Sequence, residues 1–249
     1  MTFTKMTSGA LVAGLAVLAS TSAFAFTPHT PTTKFASFSN VTGTPFTFTN
    51  TGTGGTFTAS TDATFFYLNN TPDSYFPGNG QTTAHLTITG HATVPATQSG
   101  GNDTQLVSID DLKFTALTPV NGKTNLLEVK ITSAKITGTD TGDTGNLAGD
   151  TRVGDTVNYS SDFLDFSKTT DRNFSIALDP ISAANGNGIT INADGFLNTF
   201  SSGLDGSFSS NPLPQNPTPE PTSTAAFAMG GFGIFGLLFA KKRRNSTAV

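Results

Sequence analysis

The side chains of this sequence that could do chemistry are mainly carboxylates, and they are densest between residues 140 and 155. The oxygen-bearing residues of this segment, which alternate with Thr and Gly, are Asp140, Asp143, Asn146, Asp150 and Asp155. Calcium prefers several oxygen ligands from a flexible loop, so this loop is a candidate calcium site. The spacing matches neither the EF-hand nor the Gly-Gly-x-Gly-x-Asp repeat, and solvated β-loops have the same composition. We therefore predict no metal ligands and no cofactor, with calcium as the one alternative.

Histidine and serine chemistry have little support. His85 and His91 flank one predicted strand six residues apart, so they share a face, and surface histidines explain them better than a metal pair. His29 lies among Pro and Thr residues near the N-terminus. The chain has no Gly-x-Ser-x-Gly nucleophile elbow, so the sequence does not indicate a serine hydrolase.

Glycoside hydrolysis would require two positioned carboxyl groups. Before residue 219 the only Glu is Glu128, on the polar face of a predicted strand. Asp110 and Asp111 would point to opposite faces of an extended chain. Asp162 and Asp165 bracket two apolar residues, as at the edge of a strand. We predict no catalytic residues and a non-enzymatic protein, with a secreted hydrolase as the second alternative.

Sugar binding is the other alternative. Carbohydrate platforms usually offer Trp or Tyr, and this chain has no Trp and three Tyr. Tyr75 lies in a predicted loop and could stack on a sugar, whereas Tyr67 is expected in the core, and the third is Tyr159. A calcium- or glycan-binding module using the 140–155 loop or the Tyr75 loop therefore stays open.

Composition excludes several classes of protein. The formal charge is −4, but without Lys5 and the charges from Glu220 onward 16 acidic and 8 basic residues remain, a net charge of −8. Such an acidic region repels phosphate backbones, so we expect no nucleic-acid partner. Cysteine is absent, which excludes thiol catalysis and Cys-ligated zinc.

Hydrophobic alternation between residues 26 and 210 has a period near two, which predicts strands. The predicted strands are 35–41, 45–49, 56–59, 63–68, 85–89, 105–116, 125–136, 163–166, 172–178, 188–191 and 196–200. Asn121-Gly122 between two alternating runs is the strongest hairpin motif. No long amphipathic helix is visible in this region. The pattern predicts an all-β domain, an antiparallel β-sandwich or jelly roll, over residues 26–210.

The N-terminus has the three parts of a secretory signal peptide over residues 1–25. Lys5 supplies a positive charge, residues 9–19 are apolar but too short to span a membrane, and Ala23 and Ala25 form a signal peptidase site. Cleavage after Ala25 would leave Phe26 as the new N-terminus. We expect signal peptidase as a partner and export of the rest of the chain.

The C-terminus has an equally ordered layout. A Pro-rich spacer over 211–224 contains Pro219, Glu220 and Pro221, and an apolar transmembrane helix is predicted over 225–240. The tail 241–249 begins with a basic cluster, Lys241, Lys242, Arg243 and Arg244. Sixteen apolar residues span roughly 24 Å, short of a ~30 Å hydrocarbon core. The basic cluster should stay cytoplasmic, which places residues 26–210 outside the cytoplasm.

This tail resembles the PEP-CTERM sorting signal of Gram-negative bacteria, which combines a Pro-Glu-Pro motif, a Gly-rich apolar helix and a terminal basic cluster. The resemblance covers about 30 residues. It implies processing by a membrane-embedded exosortase in an organism that makes exopolysaccharide. It also implies a transient stay in the inner membrane, then the cell surface, outer envelope or extracellular matrix. We therefore expect a non-enzymatic surface or matrix protein, with exopolysaccharide as a further partner.

Overall fold

The computed structural model describes residues 32–39, 41–68, 76, 80–183, 186 and 188–217. The predicted signal peptide (1–25), the transmembrane helix (225–240) and the basic tail (241–249) lie outside these residues, and so does the Pro-Glu-Pro motif. In the part of the chain that the structure describes, no helix has the length and apolar character needed to cross a membrane.

Eight antiparallel strands form a closed barrel, and three shorter strands are attached to its wall. The strands are β1 (Thr33–Ser39), β2 (Phe46–Asn50), β3 (Gly55–Tyr67), β4 (Gln81–Ala92), β5 (Thr97–Ser99), β6 (Asn102–Val120), β7 (Lys123–Thr139), β8 (Gly145–Asp150), β9 (Val157–Ser160), β10 (Asp171–Ala183) and β11 (Phe200–Asn211). Around the barrel the order is β6-β4-β3-β1-β11-β10-β8-β7, and β7 pairs with β6 to close the ring. β2 bridges β3 and β11, β5 extends β6, and β9 pairs with β7.

The predicted β-sandwich or jelly roll is therefore wrong, although the all-β class is right. Every neighbouring pair in the ring is hydrogen-bonded, so the wall has no open seam that would divide it into two sheets. Two closures make the difference: the β6–β7 hairpin, and the pairing of β1 with β11 near the two ends of the described chain. Closure removes the exposed strand edges that a sandwich leaves.

The predicted faces of the long strands are confirmed. Leu127, Val129 and Ile131 of β7 are buried, as are the apolar residues predicted to alternate in β4 and β10. The Asn121-Gly122 hairpin is also confirmed: it joins β6 to β7, and both residues have positive φ, at 52° and 76°. Positive φ at both central positions is the geometry that two-residue hairpins require.

Several weaker predictions fail. The segments 163–166 and 188–191 form only isolated bridges, Asp165–Gln215 and Ile191–Leu197, rather than strands. The predicted strands 56–59 and 63–68 are one strand, β3, because Ser60 and Asp62 continue its outward-facing row. β8 and β9 were not predicted at all, since each of these short strands contains only a few large apolar residues.

Phenylalanine fills the barrel interior and packs against glycine on neighbouring strands. Phe57 pairs with Gly90, Phe174 with Gly149, and Phe38 with Gly206. In each pair a Cβ on the glycine would lie 2.2–2.8 Å from the facing ring, so only glycine fits. This packing joins the buried Phe residues of the described strands into one continuous core. Glycines under aromatic rings also let a sheet curve tightly enough to close.

Both ends of the described domain lie at the same end of the barrel, which we call the chain-entry end. Thr33 at the start of β1 pairs with Ser210 near the end of β11. Beyond β11 the chain stays attached, because Asp165 and Gln215 exchange backbone hydrogen bonds of 2.7 and 3.0 Å. The predicted spacer therefore begins as part of the barrel. The opposite end, which we call the far end, contains the β5–β6 and β7–β8 turns.

Candidate functional site

A groove of about 420 Å³ lies on the outer wall, crossing β7, β8, β10, β11 and β1. Small side chains form its floor, including Ala148, Ser175 and Ser207, whereas longer ones, Lys34 and Lys135, stand at its rim. In each strand the large apolar residues point inward, so the groove is lined by the intervening side chains. These combine hydroxyl, amide and charged groups with the apolar surface of residues such as Ala148 and the exposed Val153. We call this surface the outer groove.

Hydrogen bonds hold several polar groups of the outer groove in place. Ser175 Oγ donates to Asn146 Oδ1 at 2.9 Å, across β10 and β8. Asn173 Nδ2 donates to Thr32 Oγ1 at 2.8 Å. The hydroxyl of Tyr159 donates to the backbone carbonyl of Asn173 from the interior side of the wall. These hydrogen bonds hold hydroxyl and amide groups of the groove in fixed positions.

The acidic residues at one side of the outer groove are already engaged. Asp150 accepts hydrogen bonds from the backbone and guanidinium of Arg152, where it begins the 3-10 turn Thr151–Val153. Burial favours a higher pKa for the Asp150 carboxyl, but the Arg152 hydrogen bonds outweigh it and lower the pKa overall. Asp155 accepts from the backbone of Asp150 at 3.0 Å and from Ser133 Oγ at 3.1 Å.

The hydroxyl and amide groups of the outer groove are of the kind that form hydrogen bonds with a hydroxyl-rich ligand. Such contacts fix the orientation of a sugar, whereas aromatic stacking supplies most of the affinity in sugar platforms. Tyr75, predicted as a stacking residue, lies outside the described residues, and Tyr67 and Tyr159 are buried. Burial raises the pKa of both buried tyrosines far above the usual range. Sequence reasoning missed this groove because its residues come from five strands whose order is visible only in the structure.

A second cluster joins a serine, a histidine and an aspartate on the outside of β3 and β4. Ser60 Oγ lies 3.0 Å from His85 Nε2, and His85 Nδ1 lies 2.8 Å from Asp62 Oδ1. Asp62 and His85 are cross-strand partners, and Ser60 shares the face of Asp62 two residues earlier. This is the order of atoms in a serine hydrolase triad. Asp62 and His85 are 60% and 43% exposed, so water is not excluded there.

The predicted shared face of His85 and His91 is confirmed, since both lie on the outer side of β4. Six strand residues separate them by roughly 20 Å, too far for a common metal ion. His91 Nδ1 instead lies 3.0 Å from Asp110 Oδ2. A β-bulge at Asp110 leaves neither it nor Asp111 buried, in place of the alternation expected for an extended chain.

The carboxylates considered for glycoside hydrolysis have structural contacts. Glu128 lies 3.3 Å from Lys130 and accepts from Ser160 Oγ. Asp162 Oδ2 accepts from the backbone N–H groups of Thr124 and Asn125, at 3.1 and 2.9 Å. Asp165 accepts from the Ser167 backbone, and this hydrogen bond lowers the pKa of its carboxyl.

The structure separates the residues of the candidate calcium loop. Asp140 and Asp143 lie in the β7–β8 turn, whereas Asp150 is the last residue of β8 and Asp155 follows it. Six strand residues span roughly 20 Å, so the four carboxylates do not converge. Within the described residues, no three His, Asp or Glu side chains gather as a metal-binding group. The 140–155 segment is therefore two turns flanking a strand rather than one loop.

The residues predicted for export and sorting are not tested by the structure. Ala23 and Ala25 precede the described residues, and Pro219, Glu220, Pro221 and the basic cluster (Lys241, Lys242, Arg243, Arg244) follow them. Comparisons with protein-family models, with characterised proteins and with solved structures found no match to this chain. The fold and its surfaces define the molecule as a closed antiparallel barrel with a groove of mixed polar and apolar lining on its outer wall.

Proposed function

We propose that this chain is an exported, non-enzymatic protein of the cell surface or exopolysaccharide matrix, and that its outer groove contacts polysaccharide. Signal peptidase would remove residues 1–25. An exosortase-type enzyme would process the Pro-Glu-Pro tail after a transient stay in the inner membrane. The observation that supports this proposal is the pairing of Thr33 with Ser210, which brings both ends of the described domain to the chain-entry end.

That arrangement suits display from a surface. A barrel whose two ends leave together can be tethered at one end while its wall and far end stay accessible. The outer groove lies on the wall, and its hydroxyl and amide groups can replace water around a hydroxyl-rich polymer. The polar groups stand on strands rather than on loops, so they are held in fixed positions.

A charge placed in the outer groove should release the protein from the matrix. Ser175→Glu puts a bulky carboxylate over the groove floor, beside Ser207 and Ala148. We expect the fraction of protein that sediments with purified exopolysaccharide to fall by about tenfold. Losing a hydrogen bond in the groove, or placing like charges together there, costs roughly 1–2 kcal/mol of binding free energy.

The matched control for this experiment is Thr58→Glu, an exposed, outward-facing position in the middle of β3. It adds the same charge to a different face of the barrel and should sediment like the unchanged protein. Equal sedimentation of both variants and the unchanged protein would contradict a role for the outer groove.

A secreted esterase is the second candidate function, and the Ser60–His85–Asp62 geometry is the observation that favours it. In this scheme His85 takes the proton of Ser60 as the serine attacks an ester carbonyl, while Asp62 orients the imidazole. Because the cluster is open to solvent, the surroundings would stabilise an oxyanion weakly, and turnover would be slow.

A fluorophosphonate probe tests this candidate by reacting only with an activated serine. The esterase predicts labelling at Ser60 that His85→Ala reduces at least about 100-fold, because general-base catalysis contributes roughly 10²–10⁴. His91→Ala is the control. His91 lies on β4 like His85, and its Nδ1 contacts Asp110 Oδ2 on β6, but within the described residues its ring has no serine partner. Labelling that is absent, or that persists in His85→Ala, would eliminate the esterase.

A further inference from the structure

Asp103 is a buried carboxylate at the far end of the barrel, in the second position of β6. Its exposure is 0%, and although Gln98 Nε2 donates to Oδ1 at 3.0 Å, Oδ2 has no hydrogen-bond partner. A buried carboxylate oxygen without a partner is costly and calls for a proton, a cation or a water. In the sequence Asp103 follows Ser-Gly-Gly-Asn, a pattern typical of a turn, so the sequence alone does not indicate a buried ligand there.

Asp140 is the acidic neighbour of Asp103. In the β6–β7 ladder Asp103 is opposite Gly138, and the ladder continues outward with a hydrogen bond from Asp140 N to Gly101 O at 3.0 Å. Asp140 is therefore a diagonal neighbour of Asp103, a position whose Cα lies roughly 7–8 Å away. The Asp140 side chain is exposed.

The surroundings of this pair favour a cation. The described far-end segments 51–54, 93–101, 140–144 and 188–199 contain three Asp residues and neither Lys nor Arg. Burial, and then the negative charge of Asp140, raise the pKa of the Asp103 carboxyl, against the opposing effect of the Gln98 hydrogen bond. A positive ion between the two carboxylates would offset both the cost of burying the Asp103 charge and its repulsion by Asp140.

We propose that Asp103 and Asp140 bind one calcium ion at the far end of the barrel. Calcium accepts six to eight oxygen ligands with irregular geometry, so two carboxylates can be completed by backbone carbonyls and water. Two carboxylates make a weak site, in the range of roughly 10⁻⁴–10⁻³ M typical of extracellular modules. Binding also displaces the proton that burial favours on Asp103, so affinity rises with pH.

Calcium titration of the full chain in detergent, at constant ionic strength, tests the proposal directly. We expect calorimetry to show one calcium per chain. At a hundredfold excess over the dissociation constant, the unfolding midpoint should rise by roughly 5–10 °C. Magnesium should give a smaller shift, because it demands near-ideal octahedral geometry and loses its water reluctantly.

Asp103→Asn and Asp143→Asn form a matched pair for this test. Asp103→Asn keeps the shape of the side chain but removes its charge, and it should abolish the calcium shift without unfolding the protein. Asp143→Asn alters the same β7–β8 turn three residues from Asp140 and should leave the shift intact. The proposal is overturned if the unchanged protein shows no calcium shift, if magnesium gives an equal shift, or if Asp103→Asn still responds.

Discussion

Phe208→Ala should lower the free energy of unfolding by roughly 3–5 kcal/mol, the range for removing a fully buried Phe. Phe208 is completely buried in β11, and its ring lies 5.6 Å from that of Phe114 and 6.3 Å from those of Phe38 and Tyr159. These rings come from strands around the barrel, so the cavity would face several of them and could not close by moving one side chain. Thermal denaturation should show a midpoint lower by roughly 6–20 °C.

Phe66→Ala is the control for this prediction. Phe66 lies on the outer side of β3 and is only half-buried, between two fully buried aromatic residues, Phe65 and Tyr67. Its loss should cost less than about 1 kcal/mol. Equal destabilisation by the two substitutions would mean that the interior and exterior faces have been assigned incorrectly.

The long strands could be predicted from the sequence because their local pattern is strong. β6 and β7 alternate over many residues and are joined by Asn121-Gly122, whose positive φ values leave few other conformations. β8 has one large apolar residue, Leu147, in six. β11 is mostly Ser and Gly, and its large apolar residues are Phe200, Leu204 and Phe208. Such strands are specified by their neighbours, not by their own composition.

Closure of the barrel could not be predicted because sandwiches and barrels share the same alternation. The difference lies in which strands pair, and the decisive pairing joins Thr33 to Ser210, far apart in sequence. The glycines that pack against the core Phe rings could not be predicted from the sequence either. Phe57 requires glycine at position 90, and only the register of β3 on β4 connects the two.

The candidate sites were predictable in part. The shared face of His85 and His91 followed from alternation alone, whereas Ser60 and Asp62 became partners of His85 only through cross-strand register. Asp103 was hidden because it follows Ser-Gly-Gly-Asn, which reads as a turn, yet it belongs to β6. The acidic segment 140–155 was a candidate because of its composition, and in the structure strand β8 separates its carboxylates into two groups.

Loss of the Pro-Glu-Pro motif should also have a large effect, because it should stop sorting through the C-terminal tail. In a host with an exosortase, we expect Glu220→Ala to leave full-length protein in the inner membrane, since the apolar segment and the basic cluster remain. Asn216→Ala is the matched control just outside the motif, and it should be processed normally. Deleting residues 225–249 should instead release the protein directly, because nothing then stops its translocation.

Mass spectrometry of the intact protein recovered from the surface or matrix is the most direct test of this account. An exported and sorted protein begins at Phe26 and lacks Lys241 to Arg244. An ordinary single-pass anchor predicts no effect of Glu220→Ala and an intact C-terminus in the unchanged protein. Recovery of most surface protein with Lys241 to Arg244 still attached would contradict sorting and leave a simple membrane-anchored barrel.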